Sequence, residues 1–321
     1  MNQKIKRLLN KFGLHTQSEL RDIEKELSAW RSGFVPPGHY YSPLNDLTYL
    51  KKNETSIFSI DSSIKDIDLR KKQQFELLQQ LLPYYKKSFF PEERSTDYRY
   101  YFNNIFYSFS DGIFLFCLLN HWQPKRIIEI GSGFSSALML DTNQHCFNNS
   151  MQLTFIEPFP EERLNNLIRP DDAAYTIKDF IQQVDLSLFA KLEAGDILFV
   201  DSSHVSKFNS DLNHIIFQIL PKLKAGVYIH FHDIFYPFEY PKEWILSGRA
   251  WNEAYMLRAF LMNNADYEIV LFPSMLEQFH EEWLQQNMPL TLKLHEKWPN
   301  EENFSYYLPN KGQSLWIKKV R

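Results

Sequence analysis

The middle of the chain alternates short, β-branched apolar runs with longer apolar segments of helical spacing. Asp111–His121 is apolar on nearly every side and reads as a buried helix that stops before Pro124. Arg126–Ile130 is a short strand, Ser135–Phe147 a helix and Gln152–Glu157 a second strand. Tyr175–Ile181 gives a third strand, and Asp196–Asp201 a fourth, with Ile-Leu-Phe-Val set between acids. Asn209–Leu223 has helical spacing, and Val227–His232 is a fifth strand after the turn at Lys224-Ala-Gly. Strands separated by helix-length segments predict a parallel sheet covered by helices on both faces. Beyond these, Trp251–Asn263 reads as a helix, Tyr267–Phe272 as a strand and Ser314–Val320 as a last strand.

The flanks have a different texture. Ile5, Leu8, Leu9 and Phe12 are spaced as one face of a basic helix, suited to packing on the chain itself or on a partner, or to a membrane surface. Phe34–Pro43 contains too many helix breakers to be helical, whereas Leu69–Lys87 reads as a helix. Arg99-Tyr-Tyr-Phe-Asn103 is dense in aromatics with polar tips and, with Pro37–Ser42, is expected to cover a cofactor or acceptor. This divides the chain into a helical and loop extension, 1–110, suited to covering a site or forming an oligomer contact, and a domain, 111–321. Within that domain, residues 273–313 form an insertion or lid before the last strand.

Composition narrows the function. The chain has 321 residues and a net charge of −4, so no global field favours nucleic acid as a partner. Its longest apolar run, Ile113–Leu119, falls far below the roughly 20 residues a membrane span needs, and stable membrane insertion is not expected. The amino-terminal segment lacks the apolar core of a signal peptide, and Cys117 and Cys146 alone build no disulfide framework, so the expected compartment is the cytoplasm. Aromatic residues reach 16%, which suits either an aromatic core or a cleft for flat or sugar-like ligands.

The chemistry concentrates at strand ends. Glu129-Ile-Gly131-Ser132-Gly133-Phe-Ser-Ser136 follows the first strand and opens a helix. Gly131 and Gly133 permit a sharp turn and close approach of a ligand. A nicotinamide dinucleotide site would place Gly or Ala where Ser136 stands, and the Glu129 carboxylate would repel a pyrophosphate but suit a cationic ligand. Glu157 ends the second strand some two dozen residues after Gly133, where such folds place an acid on ribose hydroxyls. Asp201-Ser202-Ser203-His204 follows the fourth strand, and His230, His232 and Asp233 close the fifth. Strand alternation places His230 and His232 on one side and Asp233 on the other, unless the strand ends at His232.

These motifs resemble the class I S-adenosylmethionine-dependent methyltransferases, closest to the bacterial small-molecule and sugar O-methyltransferase-like group. The resemblance implies a Rossmann-like α/β fold with a seven-stranded sheet whose last strand is antiparallel. It also implies S-adenosyl-L-methionine as cofactor, whose ammonium and sulfonium meet the demand for a cation without phosphate. It assigns Glu129, Gly131, Ser132, Gly133, Glu157 and Asp201 to the cofactor and places Asp179, Phe180 and Gln182 at the adenine. A related divalent-metal set is held by a fourth-strand aspartate and an acidic pair after the fifth strand; here Asp201, His232 and Asp233 take those places. Ser203 and His232 depart from the usual acids, which leaves metal dependence open and favours Mn²⁺, Fe²⁺ or Zn²⁺ over Mg²⁺.

A sugar or alkyl hydroxyl is a poor acid, so methyl transfer to it needs a base, a metal or both. Asp201, His204 and His232 are the candidates for that work. The expected function is O-methylation of a small-molecule or carbohydrate hydroxyl, with in-line displacement at the sulfonium methyl. The alternatives are a non-catalytic cofactor-binding or assembly subunit and a nicotinamide-dependent oxidoreductase.

Overall fold

A computed structural model describes residues 20–21, 33–58, 63–172, 174–294 and 312–321. The basic segment Ile5–Phe12 lies outside them, as does most of the second half of the 273–313 insertion. The chain divides into two compact units. Residues 33–58 belong to the smaller, with 248–250; it holds a non-helical stretch through Asn45 and two short helices, Leu47–Lys52 and Glu54–Ile57. Asp46 caps the first by accepting from the Tyr49 amide at 3.0 Å.

The larger unit carries helices α1 (Lys71–Tyr85), α2 (Phe109–Trp122) and α3 (Phe134–Phe147), then α4 (Glu253–Leu261) and α5 (Pro273–Asn287). Its strands are β1 (Arg126–Ile130), β2 (Gln152–Ile156), β3 (Ala174–Ile177), β4 (Ile197–Val200), β5 (Tyr228–His232), β6 (Tyr267–Leu271) and β7 (Ser314–Lys319). They form one seven-stranded sheet in the order β3-β2-β1-β4-β5-β7-β6. Strands β1 to β5 run parallel, and β7 is antiparallel to both its neighbours, as the resemblance implied. β1 and β4 are buried on both faces, which is why they read as continuous apolar runs. α2 is apolar all round because it is buried all round, and it ends at Gln123 in the left-handed region, just before Pro124.

Register does the positioning. Ile130 pairs with Ile156 and with Val200, and Val200 pairs with Phe231. The carboxyl ends of β1, β2, β4 and β5 therefore align, and Gly131, Glu157, Asp201 and His232 emerge side by side, with Asp233 one residue further on. The chain winds one way from β1 to β3 and the other way from β4 to β5, so the switch point falls between β1 and β4, where open α/β sheets bind ligands.

The expected boundary at residue 110 falls instead near 60, because 63–110 belongs to the sheet's own unit. Tyr100, Phe102, Tyr107 and Phe109 are buried in the core rather than lying over a site. Arg99 is buried as well and fixes this segment to the sheet's helices. Its guanidinium donates to Asp141 at 2.6 Å and to Asp172, while the Arg99 and Tyr100 amides donate to the second Asp141 oxygen at 2.8 and 2.9 Å. Burial disfavours the Arg99 cation, but the two carboxylates outweigh it and hold its pKa above the ordinary value. The start of the insertion is likewise part of the body: Met275, Leu276 and Leu284 of α5 are buried, and Glu277 accepts from Ser110 Oγ at 2.8 Å and the Gly312 amide at 2.7 Å.

Removing one partner from a buried ion pair leaves an uncompensated charge. Asp141→Ala is therefore expected to lower the unfolding free energy by about 3–5 kcal/mol, measured by urea denaturation. An unchanged denaturation midpoint would show that Arg99 does not depend on this partner.

Candidate functional site

A cleft of about 450 Å³ opens at the switch point, bounded by Gly131, Glu157, Phe159, Phe180, Gln182 and Asp201 among others. Gly131 has φ +78°, and a Cβ there would overlap the Asp201 carbonyl oxygen, so a side chain is excluded twice over. Gly133 is extended, and a Cβ there would come within 2.9 Å of Arg163 Cδ. Between them the Ser132 amide donates to Glu157 Oε2 at 3.0 Å, and the Phe159 amide donates to Oε1 at 2.9 Å. A carboxylate offers about four lone-pair sites, so Glu157 keeps acceptor capacity facing the cleft.

Of the three residues expected near a flat base, Phe180 and Gln182 line the cleft and Asp179 does not; Asp179 accepts from the Phe180 amide at 2.8 Å. Phe180 meets Phe159 edge-on with 5.7 Å between ring centres. Gln182 Nε2 donates to the Asn209 carbonyl at 2.7 Å, and its Oε1 is buried with no hydrogen-bond partner.

Glu129, expected at the ligand, is fully buried behind the glycine turn and does not line the cleft. Ser135 Oγ donates to one of its oxygens at 2.5 Å and Ser136 Oγ to the other. Ser136 Oγ also accepts from the Gly133 amide at 3.0 Å. Glu129 thus holds the turn through two serines, which accounts for Ser136 where a dinucleotide fold carries Gly or Ala. Burial pushes its pKa up to about 8 against the opposing serine bonds.

Next to the cleft lies a cluster of acids and imidazoles. His204 Nε2 stands 3.5 Å from Asp201 Oδ1 and 3.4 Å from Asp233 Oδ2. His232 Nδ1 is 3.5 Å from Asp201 and 3.6 Å from Asp233, and its Nε2 is 3.7 Å from Asp111. Asp233 reaches His232's side because β5 ends at His232 and Asp233 turns left-handed at φ +56°. His204 also has positive φ, +60°. Two non-glycine residues in that region within one cluster are backbone strain concentrated at a site. Asp201, His204 and Asp233 each offer a ligand atom within 4.8 Å of the others, a grouping able to hold a metal ion. In the set expected from sequence, His232 held the place that His204 takes here.

Glu253 was not legible as a site residue: it looked like a polar position near the start of an apolar helix. It is 1% exposed and faces His204 Nδ1 at 2.7 Å, leaving Nε2 toward Asp201 and Asp233. Such a carboxylate fixes both the tautomer and the plane of a ligating imidazole. Trp251 packs over the same ring at 4.4 Å between centres. Burial opposes the imidazolium, but Asp201, Glu253 and Asp233 push the His204 pKa up to about 10. His232 is also held well above its ordinary range against burial, by Asp233, Asp201 and Asp111. Burial opposes the Asp201 anion, yet the two imidazoles hold its pKa well below the usual range. The surrounding carboxylates therefore favour the protonated form of both imidazoles when no cation shares the cluster.

His230 belongs to the core. Its ring stacks on Phe199 at 3.7 Å and meets Trp316 at 4.7 Å, and burial keeps it neutral with its pKa well below the ordinary value. Ser203 binds Asp211, donating through Oγ at 2.5 Å and through its amide at 2.8 Å.

Comparison with known proteins gives three kinds of match. A family model described as a methyltransferase domain matches residues 128–234. An uncharacterized protein of Archaeoglobus fulgidus is 36% identical over 166 residues, covering 50% of this chain and 75% of that protein. A methyltransferase of Podospora anserina with bound SAH aligns at TM-score 0.39 and 13% identity over 81% of this chain and 99% of its own. An O-methyltransferase of Bacillus cereus in complex with SAH aligns at TM-score 0.39 and 12% identity over 85% and 97%.

The buried Glu129 makes a pH prediction. Its folded pKa lies above its ordinary 4.5, so the folded chain binds more protons than the unfolded one between those values. Its contribution to stability is complete below about pH 4.5 and is lost as pH rises through about 8. Glu129→Gln should flatten the fall in urea midpoint between those limits, and an unchanged slope would show that Glu129 is ionised in the folded chain.

Proposed function

This chain belongs to the class I S-adenosylmethionine-dependent methyltransferases, and we propose that it methylates a hydroxyl of a small molecule or sugar with the help of a divalent cation. The observation that carries the reading is Asp201, which both bounds the cleft and joins His204 and Asp233 in the ligating group. Cofactor and acceptor oxygen would thereby meet across one residue.

The residues of the cleft suit the cofactor. Glu157 has spare acceptor capacity for the ribose hydroxyls, and the unpartnered Gln182 Oε1 is an acceptor for an exocyclic amine. Phe180 and Phe159 supply apolar faces for a flat base. When bound, S-adenosylmethionine supplies an electrophilic methyl on a sulfonium. The protein's own contribution is alignment and charge.

Asp201, Asp233 and the Nε2 of His204 would hold the cation, and a bound cation lowers the pKa of a coordinated hydroxyl. Two carboxylates and one imidazole suit Mn²⁺, Fe²⁺ or Zn²⁺. Glu253 acts as a positioning residue: it would accept a hydrogen bond from the Nδ1–H of His204 and turn the Nε2 lone pair toward the cation. His232, protonated beside Asp201 and Asp233, offsets part of the carboxylate charge. Trp251, partly exposed and packed over His204, offers an aromatic face of the kind that suits the apolar face of a sugar ring, and the buried Tyr240 supports it edge-on at 6.1 Å.

Calorimetric titration with S-adenosylmethionine and S-adenosylhomocysteine is the test. Binding in the micromolar range is expected, weakened about ten-fold or more by Glu157→Ala, since a hydrogen bond to a charged group contributes about 1.5–3 kcal/mol. No binding to folded protein, or undiminished binding by the variant, would remove the cofactor reading. For the cation, Glu253→Gln is expected to weaken Mn²⁺ affinity about 10–100-fold, measured by titration with Mn²⁺. Equal affinity in variant and parent would remove Glu253 from that role.

A further inference from the structure

A second cleft, of about 440 Å³, lies on the other side of the loop that follows β2. Arg94, Arg163 and Arg169 bound it, with Glu162 as the opposing charge. Arg99 also touches it, but that guanidinium is paired with two carboxylates, Asp141 and Asp172, and adds no positive charge to the cleft. Among the described residues, no carboxylate comes within 4.0 Å of the guanidinium groups of Arg94, Arg163 or Arg169. Three arginines without a carboxylate partner thus line one cleft beside one lining acid, Glu162, on a chain whose net charge is −4.

Two of these cations are held in place. Arg163 lies over the Phe106 ring at 3.7 Å, and Arg169 donates to the Thr96 and Asp97 carbonyls at 3.1 and 3.2 Å. Pre-set guanidinium groups lose little freedom when they bind, and their fork of donors matches carboxylate and phosphate oxygens, of which phosphate offers the greater charge to three cations at once. Ser95 and Thr96 add hydroxyls at the rim, and Tyr101 meets Phe134 edge-on at 5.5 Å, giving the cleft an apolar wall. We propose that this cleft binds a small molecule through a phosphate group, apart from the cofactor cleft. Its volume is that of a small-molecule site, and its charge selects an anion. This inference rests on the arginine cluster and not on the methyl-transfer reading.

Pyrophosphate is the probe, titrated calorimetrically into the whole chain. The expected result is sub-millimolar affinity, at least ten-fold weaker for Arg163→Gln and several-fold weaker for Arg94→Ala, with malonate binding at least ten-fold more weakly than pyrophosphate. Saturating S-adenosylhomocysteine should leave the pyrophosphate affinity unchanged. Absence of pyrophosphate binding at about 10 mM, equal binding by both variants, or equal binding of malonate would overturn the assignment. Loss of pyrophosphate binding on adding S-adenosylhomocysteine would also overturn it, by placing the anion in the cofactor cleft. Arg94 is exposed, so Arg94→Ala keeps the test decisive even where Arg163→Gln unfolds the chain.

Discussion

The exit of β1 presses against the exit of β4 so closely that no side chain fits between them. Gly131 turns there with φ +78°, and the Asp201 carbonyl occupies the space a Cβ would need. Two backbone bonds fix the junction: the Gly131 amide donates to Ile156 at 3.0 Å and the Asp201 amide donates to Ile130 at 2.9 Å. Three strand ends are therefore locked in one register, and the cofactor cleft and Asp201 project from that seam. Glu157 leans in to take the Ser132 amide, while Glu129 takes two serines from behind. The same seam sends Asp201 out toward His204 and His232. Any bulk at Gly131 would part the two strands and displace both the cleft and the acid–imidazole cluster.

Charge is balanced locally around this seam. Buried carboxylates are costly unless paired. Glu129 meets that demand with hydroxyls and a raised pKa, whereas Asp201, Asp233 and Glu253 meet it with two imidazoles. A divalent cation entering between Asp201, His204 and Asp233 would displace the proton on His204, so the cluster would gain one positive charge against its carboxylates. Glu253 could keep the same bond to Nδ1 in either state, and His204 would then serve as a fixed ligand.

The sheet was legible because parallel strands buried on both faces leave continuous β-branched runs; Arg126–Ile130 was read to the residue. The stretch Asn209–Leu223 was less so. It read as one helix but passes from Asp211–His214 through a π-turn, Ile215–Ile219, into a 3₁₀ turn, and apolar spacing does not report such widening. Arg99–Asn103 read as a cover because polar-tipped aromatics serve a core and a cleft equally well; only the buried Arg99–Asp141 pair distinguishes them. In the site, Asp201, His204 and His232 stood out by their place at strand ends. Unbroken alternation would put Asp233 on the other face. The exception, a strand that ends at His232, is what occurs, although a two-residue period does not signal the left-handed turn that follows. Glu253 could not be found locally at all: its partner lies 49 residues away, and an acid in the first turn of a helix has an ordinary explanation in the helix dipole.

A crystal grown with S-adenosylhomocysteine and Mn²⁺, with data collected for the anomalous signal of manganese, bears on the whole account at once. One anomalous peak bounded by Asp201, His204 and Asp233 is expected, with the nucleoside beside Glu157 and Gln182. Nucleoside density elsewhere, or no manganese peak at that cluster when the nucleoside is bound, would contradict it.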